Sequence, residues 1–182
     1  GLAKQILAFS RKGEEKKQLL KLSQIVQDVV RLLKEIKPGT VELNVSLSPK
    51  PATVHVDPDQ IYQVLMDLYT NAIYAMRGSG GKLNISVEEV EVDQKLADSN
   101  SSLRVGPYVK LSVSDTGEGI SPDAMPHIFE PFFTTKPEGE GTGMGLAVVY
   151  SIVTNHDGAI AVTSKPRQGT TFDLYFPKFG TS

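Results

Sequence analysis

Cysteine is absent from the 182 residues. Its absence excludes a disulfide framework and any thiolate metal site. A long apolar run is also missing. Nothing approaches the roughly 18–20 residues that a membrane span requires, and no secretory signal opens the chain. No Gly-Lys-Ser/Thr follows a glycine turn, so a Walker phosphate loop is excluded. There is no Gly-x-Ser-x-Gly and no credible Ser/His/Asp order, so hydrolase chemistry has no support. The three histidines, His55, His127 and His156, belong to no His/Cys/Glu set with metal-ligand spacing. His156 is assigned to the end of a helix, where it complements the dipole.

Hydrophobic residues make up 40% of the chain, enough for a core in one domain with a small attachment. The net charge of −2 is unevenly spread, because residues 1–37 hold nine Lys/Arg against four Asp/Glu. A basic segment can serve a nucleic acid or an anionic surface, or it can be a solvated helix face. Phe9 is its only aromatic residue, so base stacking is not indicated and no nucleic-acid partner is expected. Residues 2–9 read as the end of an apolar helix and Ser10–Lys17 as a linker, so the sequence is expected to be a piece of something longer.

Helical spacing of Val26, Val29, Val30, Leu33 and Ile36 predicts a helix capped by Ser23 and stopped by Pro38-Gly39. Val41, Leu43, Val45 and Leu47 alternate as in a half-buried strand. Pro58 starts a helix running to about Met76, with Ile61, Val64, Leu65, Leu68, Ala72 and Ala75 as its buried stripe. Strands are expected over about 82–92 and 107–115, joined by a long exposed hairpin loop, 93–106. A short helix near 122–128, a helix from about Gly143 to Asn155, and strands over 159–164 and 170–176 complete the order. The pattern predicts α+β: a two-layer α/β sandwich whose mixed, mostly antiparallel sheet is covered on one face by helices, plus an N-terminal helical stub.

Two glycine-rich stretches, Asp115-Thr116-Gly117-Glu118-Gly119-Ile120 and Gly141-Thr142-Gly143-Met144-Gly145-Leu146, flank a loop holding Phe129 to Lys136. The first presents a strand-end carboxylate. Asp115 is either a turn former or an acceptor for an exocyclic amine. The second feeds a helix N-terminus, which is either a flexible loop or a set of free N–H groups for phosphate. Asp67 and Asn71 share a helix face, either as a solvated edge or as oxygen donors for a hydrated Mg²⁺. Phe129 reads as a core residue, while Phe132 and Phe133 suit an aromatic-anchored hinge. Lys136 is either a phosphate ligand or a solvated charge. Together these features have the layout of a nucleotide site with a lid.

Asp67-Leu68-Tyr69-Thr70-Asn71-Ala72, Asp115–Gly119, Phe129-Glu130-Pro131-Phe132-Phe133, Gly141–Leu146 and Gly169-Thr170-Thr171-Phe172 occur in that order. They closely resemble the asparagine, glycine and phenylalanine boxes of sensor histidine kinases, with Ile128–Lys136 most similar to the nitrogen-regulation type. The resemblance covers about residues 20–178. It implies the ATP-binding catalytic domain (14–182) of a two-component protein-histidine kinase, following the end of a dimerisation and phosphotransfer helix (1–13). The first helix of that domain, with the phosphoacceptor histidine, is missing. It implies ATP and Mg²⁺ as cofactors, with Asn71 as the metal ligand, and gives Asp67 and Asn71 catalytic positions.

By the same resemblance, Asp115 binds the adenine amine and Gly117 and Gly119 shape the base pocket. Ile120, Phe133 and Lys136 line the nucleotide. Gly141, Thr142, Gly143, Met144, Gly145 and Leu146 meet the phosphates, and Thr170 backs the adenine. The lid spans about 121–142. The implied partners are the protein's own dimerisation domain and a response-regulator receiver domain, with a homodimeric full-length protein and a fragment that is monomeric or weakly dimeric. The implied location is cytoplasmic, with membrane anchoring of a longer protein left open. Two positions depart from the pattern. Asp67 stands where most histidine kinases have Asn and the related gyrase and chaperone ATPases have Glu, and Tyr74 stands where many have Lys. Two other readings therefore remain: a conformational ATPase of the same superfamily, and a degenerate nucleotide-binding or docking module.

Overall fold

The computed structural model describes residues 16–50, 52–136 and 145–180. In chain order the elements are β1 (Gln18–Lys21), α1 (Leu22–Ile36), β2 (Val41–Leu47), β3 (Thr53–Val56), α2 (Pro58–Ala75), β4 (Gly81–Val92), α3 (Gln94–Ser99), β5 (Gly106–Asp115), a 3₁₀ turn (Met125–His127), α4 (Gly145–Asn155), β6 (Ala159–Lys165) and β7 (Gly169–Pro177). The main sheet has strand order β2-β4-β5-β7-β6. β2 runs parallel to β4 and every other pairing is antiparallel. The expected helical stub and its boundary at residue 13 lie outside the described residues.

One face of this sheet is apolar. Leu83, Ile85 and Val87, then Val109, Leu111 and Val113, then Phe172, Leu174 and Phe176 alternate inward and meet the buried stripes of α1, α2 and α4. The two-layer α+β architecture follows from that alternation. The opposite face is polar in part: Ser112 bonds Asp173 across the β5–β7 pair at 2.5 Å, and Ser114 meets Thr171 at 2.8 Å, while Tyr108 and Tyr175 make its far end apolar.

Helix α2 starts as its sequence suggests. The Asp57 Oδ1 accepts the Asp59 N–H at 3.0 Å, and Pro58 occupies the first turn, where its missing N–H costs nothing. Its buried face is the predicted stripe, except that Tyr69 joins it and Ala75 turns toward the cavity described below.

Several expectations need correction. Helix α1 begins at Leu22, so Ser23 lies inside it; Lys21 stands at the cap but its side chain caps nothing and donates to the Thr53 hydroxyl at 3.0 Å instead, and Ile36 is exposed. The pair β1–β3 forms a small antiparallel sheet that the pattern did not suggest. The 122–128 helix reduces to the 3₁₀ turn.

The 93–106 segment is largely exposed, as expected, but it is not without structure. Asp93 caps α3 through the Leu96 N–H at 2.8 Å, and the segment folds back so that Leu103 packs with Val92, Tyr108, Ala159 and Tyr175 in a second small core. Asn100 donates to the Ile160 carbonyl of edge strand β6 at 2.9 Å.

His156 stands at the C-terminal end of α4, as expected, and is buried at 3% exposure. Its Nε2 accepts the Asp57 N–H at 3.1 Å, and Nδ1 lies 2.7 Å from the Ile152 carbonyl. An accepting Nε2 and a donating Nδ1 describe a neutral ring, so His156 ties α4 to the start of α2 by hydrogen bonds and not by charge.

Candidate active site

A cavity of about 580 Å³ opens between α2, the end of β5, the 120–136 loop and the start of α4. Helix α2 gives it one stripe: Asp67, Thr70, Asn71 and Tyr74 follow the i, i+3, i+4, i+7 spacing of a single face. Strands β5 and β7 give it a floor. Asp115 and Thr170 are cross-strand partners, so register alone brings these two residues together.

Asp115 is 7% exposed. Its Oδ1 accepts the Gly117 N–H at 2.8 Å. Burial raises its pKa above the ordinary carboxylate value, the N–H groups of Gly117 and Thr170 oppose that shift, and nearby Glu118 adds to it. Thr170 is also buried, and its hydroxyl meets the Ser164 hydroxyl at 2.9 Å. The glycines that follow Asp115 are needed for two different reasons. A Cβ on Gly117 would lie 2.5 Å from the Ala75 carbonyl oxygen, where the turn presses on the end of α2. Gly119 has φ near +74°, and a Cβ there would collide with the Lys165 carbonyl. Glu118 N–H bonds the Ala75 carbonyl at 2.9 Å, which fastens the turn to the helix.

Asp67 stands at the other end of the stripe. Its Oδ1 accepts from Gln63 at 2.9 Å, while Oδ2 is buried with no partner among the described residues. Desolvation pushes its pKa up to about 6 despite the Gln63 bond. The start of α4 is close: a Cβ on Gly145 would lie 4.0 Å from the Asp67 carboxyl carbon. An unsatisfied carboxylate oxygen with Asn71 one turn away is an oxygen donor set that fits a hard, partly hydrated cation. Among the described residues no group of three or more His, Cys, Asp or Glu could hold a metal on its own, so such an ion would need ligand oxygens from the bound molecule.

Of the residues expected from sequence, Asp67, Asn71, Asp115, Gly119, Ile120, Phe133, Lys136, Gly145, Leu146 and Thr170 line this one cavity. Gly117 lies just behind it. Gly141, Thr142, Gly143 and Met144 fall outside the described residues. Phe129 packs against the core and against Tyr150 at 5.4 Å, as a core residue should. Phe132 is not packed as an anchor among the described residues: it is 60% exposed, with φ near +69°. Phe133 stacks on His127 at 5.5 Å. Pattern reasoning missed Thr70, Ser121, Thr134 and Pro166, which also line the cavity. The helical period could have found Thr70; the others are loop positions without a periodic signal.

A family model described as "Histidine kinase-, DNA gyrase B-, and HSP90-like ATPase" matches residues 56–179. The chain belongs to this ATPase family. Similar proteins include the sensor kinase CckA of Brucella abortus, 35% identical over 97% of this chain and 19% of that protein. Another is the sensor histidine kinase ZraS of Escherichia coli K12, 39% identical over 75% of this chain and 26% of that protein. The chain thus spans about a quarter or less of the length of these two relatives. Among solved structures, the nucleotide-free catalytic domain of histidine kinase ThkA superposes with a TM-score of 0.70 at 28% identity, covering 90% of this chain and 96% of that one. Full-length ShkA in complex with AMPPNP gives 0.75 at 25% identity, over 98% of this chain and 35% of that one. This ATPase-family domain is therefore of the kind that sensor histidine kinases carry. No helix among its described residues is long and apolar enough to cross a membrane.

Proposed function

We propose that this chain binds Mg-ATP as the catalytic domain of a two-component sensor histidine kinase and transfers the γ-phosphoryl group to a histidine on a dimerisation domain. The observation that carries the reading is Asp115, a buried carboxylate lining a nucleotide-sized cavity. A carboxylate there accepts from the exocyclic amine of adenine and opposes the carbonyl that guanine would present. Gly117 and Gly119 let the turn after Asp115 pack close against Ala75 and Lys165, with Thr170 behind the base and Ile120 and Phe133 beside it. The AMPPNP bound by the structural relative ShkA agrees with this reading.

At the other end, Asn71 would hold Mg²⁺, with Asp67 in its outer sphere. The ion, when bound, neutralises charge on the phosphate oxygens. Gly141 to Leu146 would offer backbone N–H groups at the head of α4, where the helix dipole favours anions. Phosphoryl transfer is mostly positioning and charge stabilisation, so this chain has little covalent chemistry to perform. A neutral imidazole is already nucleophilic and needs no base from this domain. Partnership with a receiver domain, homodimerisation through a dimerisation domain and a cytoplasmic position are part of the same proposal.

The test is to incubate the full-length protein with γ-labelled ATP. Label that survives base and is lost in acid, as a phosphohistidine is, supports the kinase reading. Nucleotide binding without any label contradicts it and favours a docking module. The unpartnered Asp67 oxygen favours a second reading, a conformational ATPase in which this carboxylate orients water. Steady phosphate release that falls on Asp67→Asn supports that reading, and release that does not change removes it.

A further inference from the structure

At its cavity end, the helix-facing side of the sheet carries three polar side chains in one row. Asp115 stands opposite Thr170, and Thr170 stands opposite Ser164. One row further in, the same strands place Val113, Phe172 and Val162 in or against the core. Asp115 and Thr170 line the cavity, whereas Ser164 stands behind Thr170 and has no part in the function proposed above. Three groups meet at the Ser164 hydroxyl. It accepts the Ile120 N–H at 2.8 Å, donates to the Gly169 carbonyl at 3.0 Å and lies 2.9 Å from the Thr170 hydroxyl.

A hydroxyl has one proton and two lone pairs. The Ile120 N–H takes one lone pair of Ser164 and the Gly169 carbonyl takes its proton, so the third contact is a hydrogen bond only if Thr170 donates it. The Thr170 proton is then spent inside the sheet, and Thr170 faces the cavity with lone pairs alone. We propose that Ser164 is a positioning residue for the base: it sets the Thr170 hydroxyl as an acceptor, so that Asp115 and Thr170 take both hydrogens of one exocyclic amine. This rests on the nucleotide reading above and deepens it. Side chains directly opposite on neighbouring strands start about 5 Å apart, which is also roughly the span between two acceptors of a single amine. A Ser164 that only tied the Ile120 backbone to β6 would support every purine alike. A Ser164 that sets Thr170 changes how the site responds to the number of amine hydrogens.

The test compares ADP with N6-methyl-ADP, which keeps one amine hydrogen, by calorimetry on the 182-residue chain. Wild type is expected to prefer ADP by about tenfold, the worth of one hydrogen bond left unmade. Thr170→Val removes the second acceptor, so the remaining hydrogen can turn to Asp115 and the preference should fall to about threefold or less. Ser164→Ala should reproduce that fall, and the double variant Ser164→Ala/Thr170→Val should fall no further than Thr170→Val. Ser164→Thr, which keeps the hydroxyl, should retain the wild-type preference. A preference undiminished in Ser164→Ala or in Thr170→Val, or absent from wild type, overturns the inference and leaves the nucleotide reading standing. A fall in Ser164→Thr as large as in Ser164→Ala assigns the effect to packing and overturns it as well. Should Ser164→Ala not fold, Ser164→Cys, close in shape and only a weak donor and acceptor, takes its place with the same two outcomes. No binding of either ligand by the wild-type chain overturns both readings.

Discussion

At the residue scale, Asp67 is the informative position. Most buried acids in folded proteins are held ionised by partners, whereas burial dominates here and pushes the pKa from 3.8 to about 6. The sign of the pH dependence is therefore the reverse of the usual carboxylate. The folded state favours the protonated acid, so this contribution is fully present below about pH 4 and is lost as pH rises through 6. Asp67→Asn should raise stability at pH 8 by about 2 kcal/mol and change it little at pH 4. Thermal melts at the two pH values check this, and equal effects at both would contradict it. Gly117 makes the opposite case. Its Cβ position is taken by the Ala75 carbonyl, so Gly117→Ala must push the Asp115 turn away from α2. The expected cost is about 1–3 kcal/mol, with weaker nucleotide binding alongside, read from a melt and a titration of the same sample.

At the element scale, the excursion between β4 and β5 is a cover for the outer face of the sheet. It buries Tyr108 and Tyr175, which meet edge to face at 6.3 Å, and its Asn100 occupies a carbonyl on the β6 edge, where unpaired strand groups invite other strands. Leu103→Ala should lower stability by about 2 kcal/mol, or roughly 4–8 °C in Tm, without changing nucleotide affinity, because this small core does not touch the cavity. Elements became legible in the sequence to the extent that they carried a period. Helices α1 and α2 repeat apolar residues over several turns, and β4, β5 and β7 alternate over nine or more residues. β1 and β3 have four residues each, too few for alternation to stand out, and α3 has six, too few for a helical period to stand out, with the Asp93 cap at its start. The neutral ring of His156 depends on Asp57, distant in sequence, and the ring of Tyr74 meets Lys136 across the cavity. Neither pairing has a local signal.

At the scale of the whole molecule, one sheet register and one helix face converge. Pairing of β5 with β7 brings Asp115 beside Thr170, and α2 lays Asp67, Asn71 and Tyr74 along the facing wall. These residues were legible as a set because each belongs to a box with its own spacing, and the fold brings the boxes to one cavity. The central claim is that this cavity holds a nucleotide by its adenine at Asp115 and by its phosphates, through Mg²⁺, at Asn71. The most direct measurement is calorimetric titration of the chain with a non-hydrolysable ATP analogue, with and without Mg²⁺, beside Asp115→Asn. Mg²⁺-dependent binding that weakens by about tenfold or more in Asp115→Asn is the predicted result. Equal binding by wild type and Asp115→Asn, or no heat in either condition, would contradict the account.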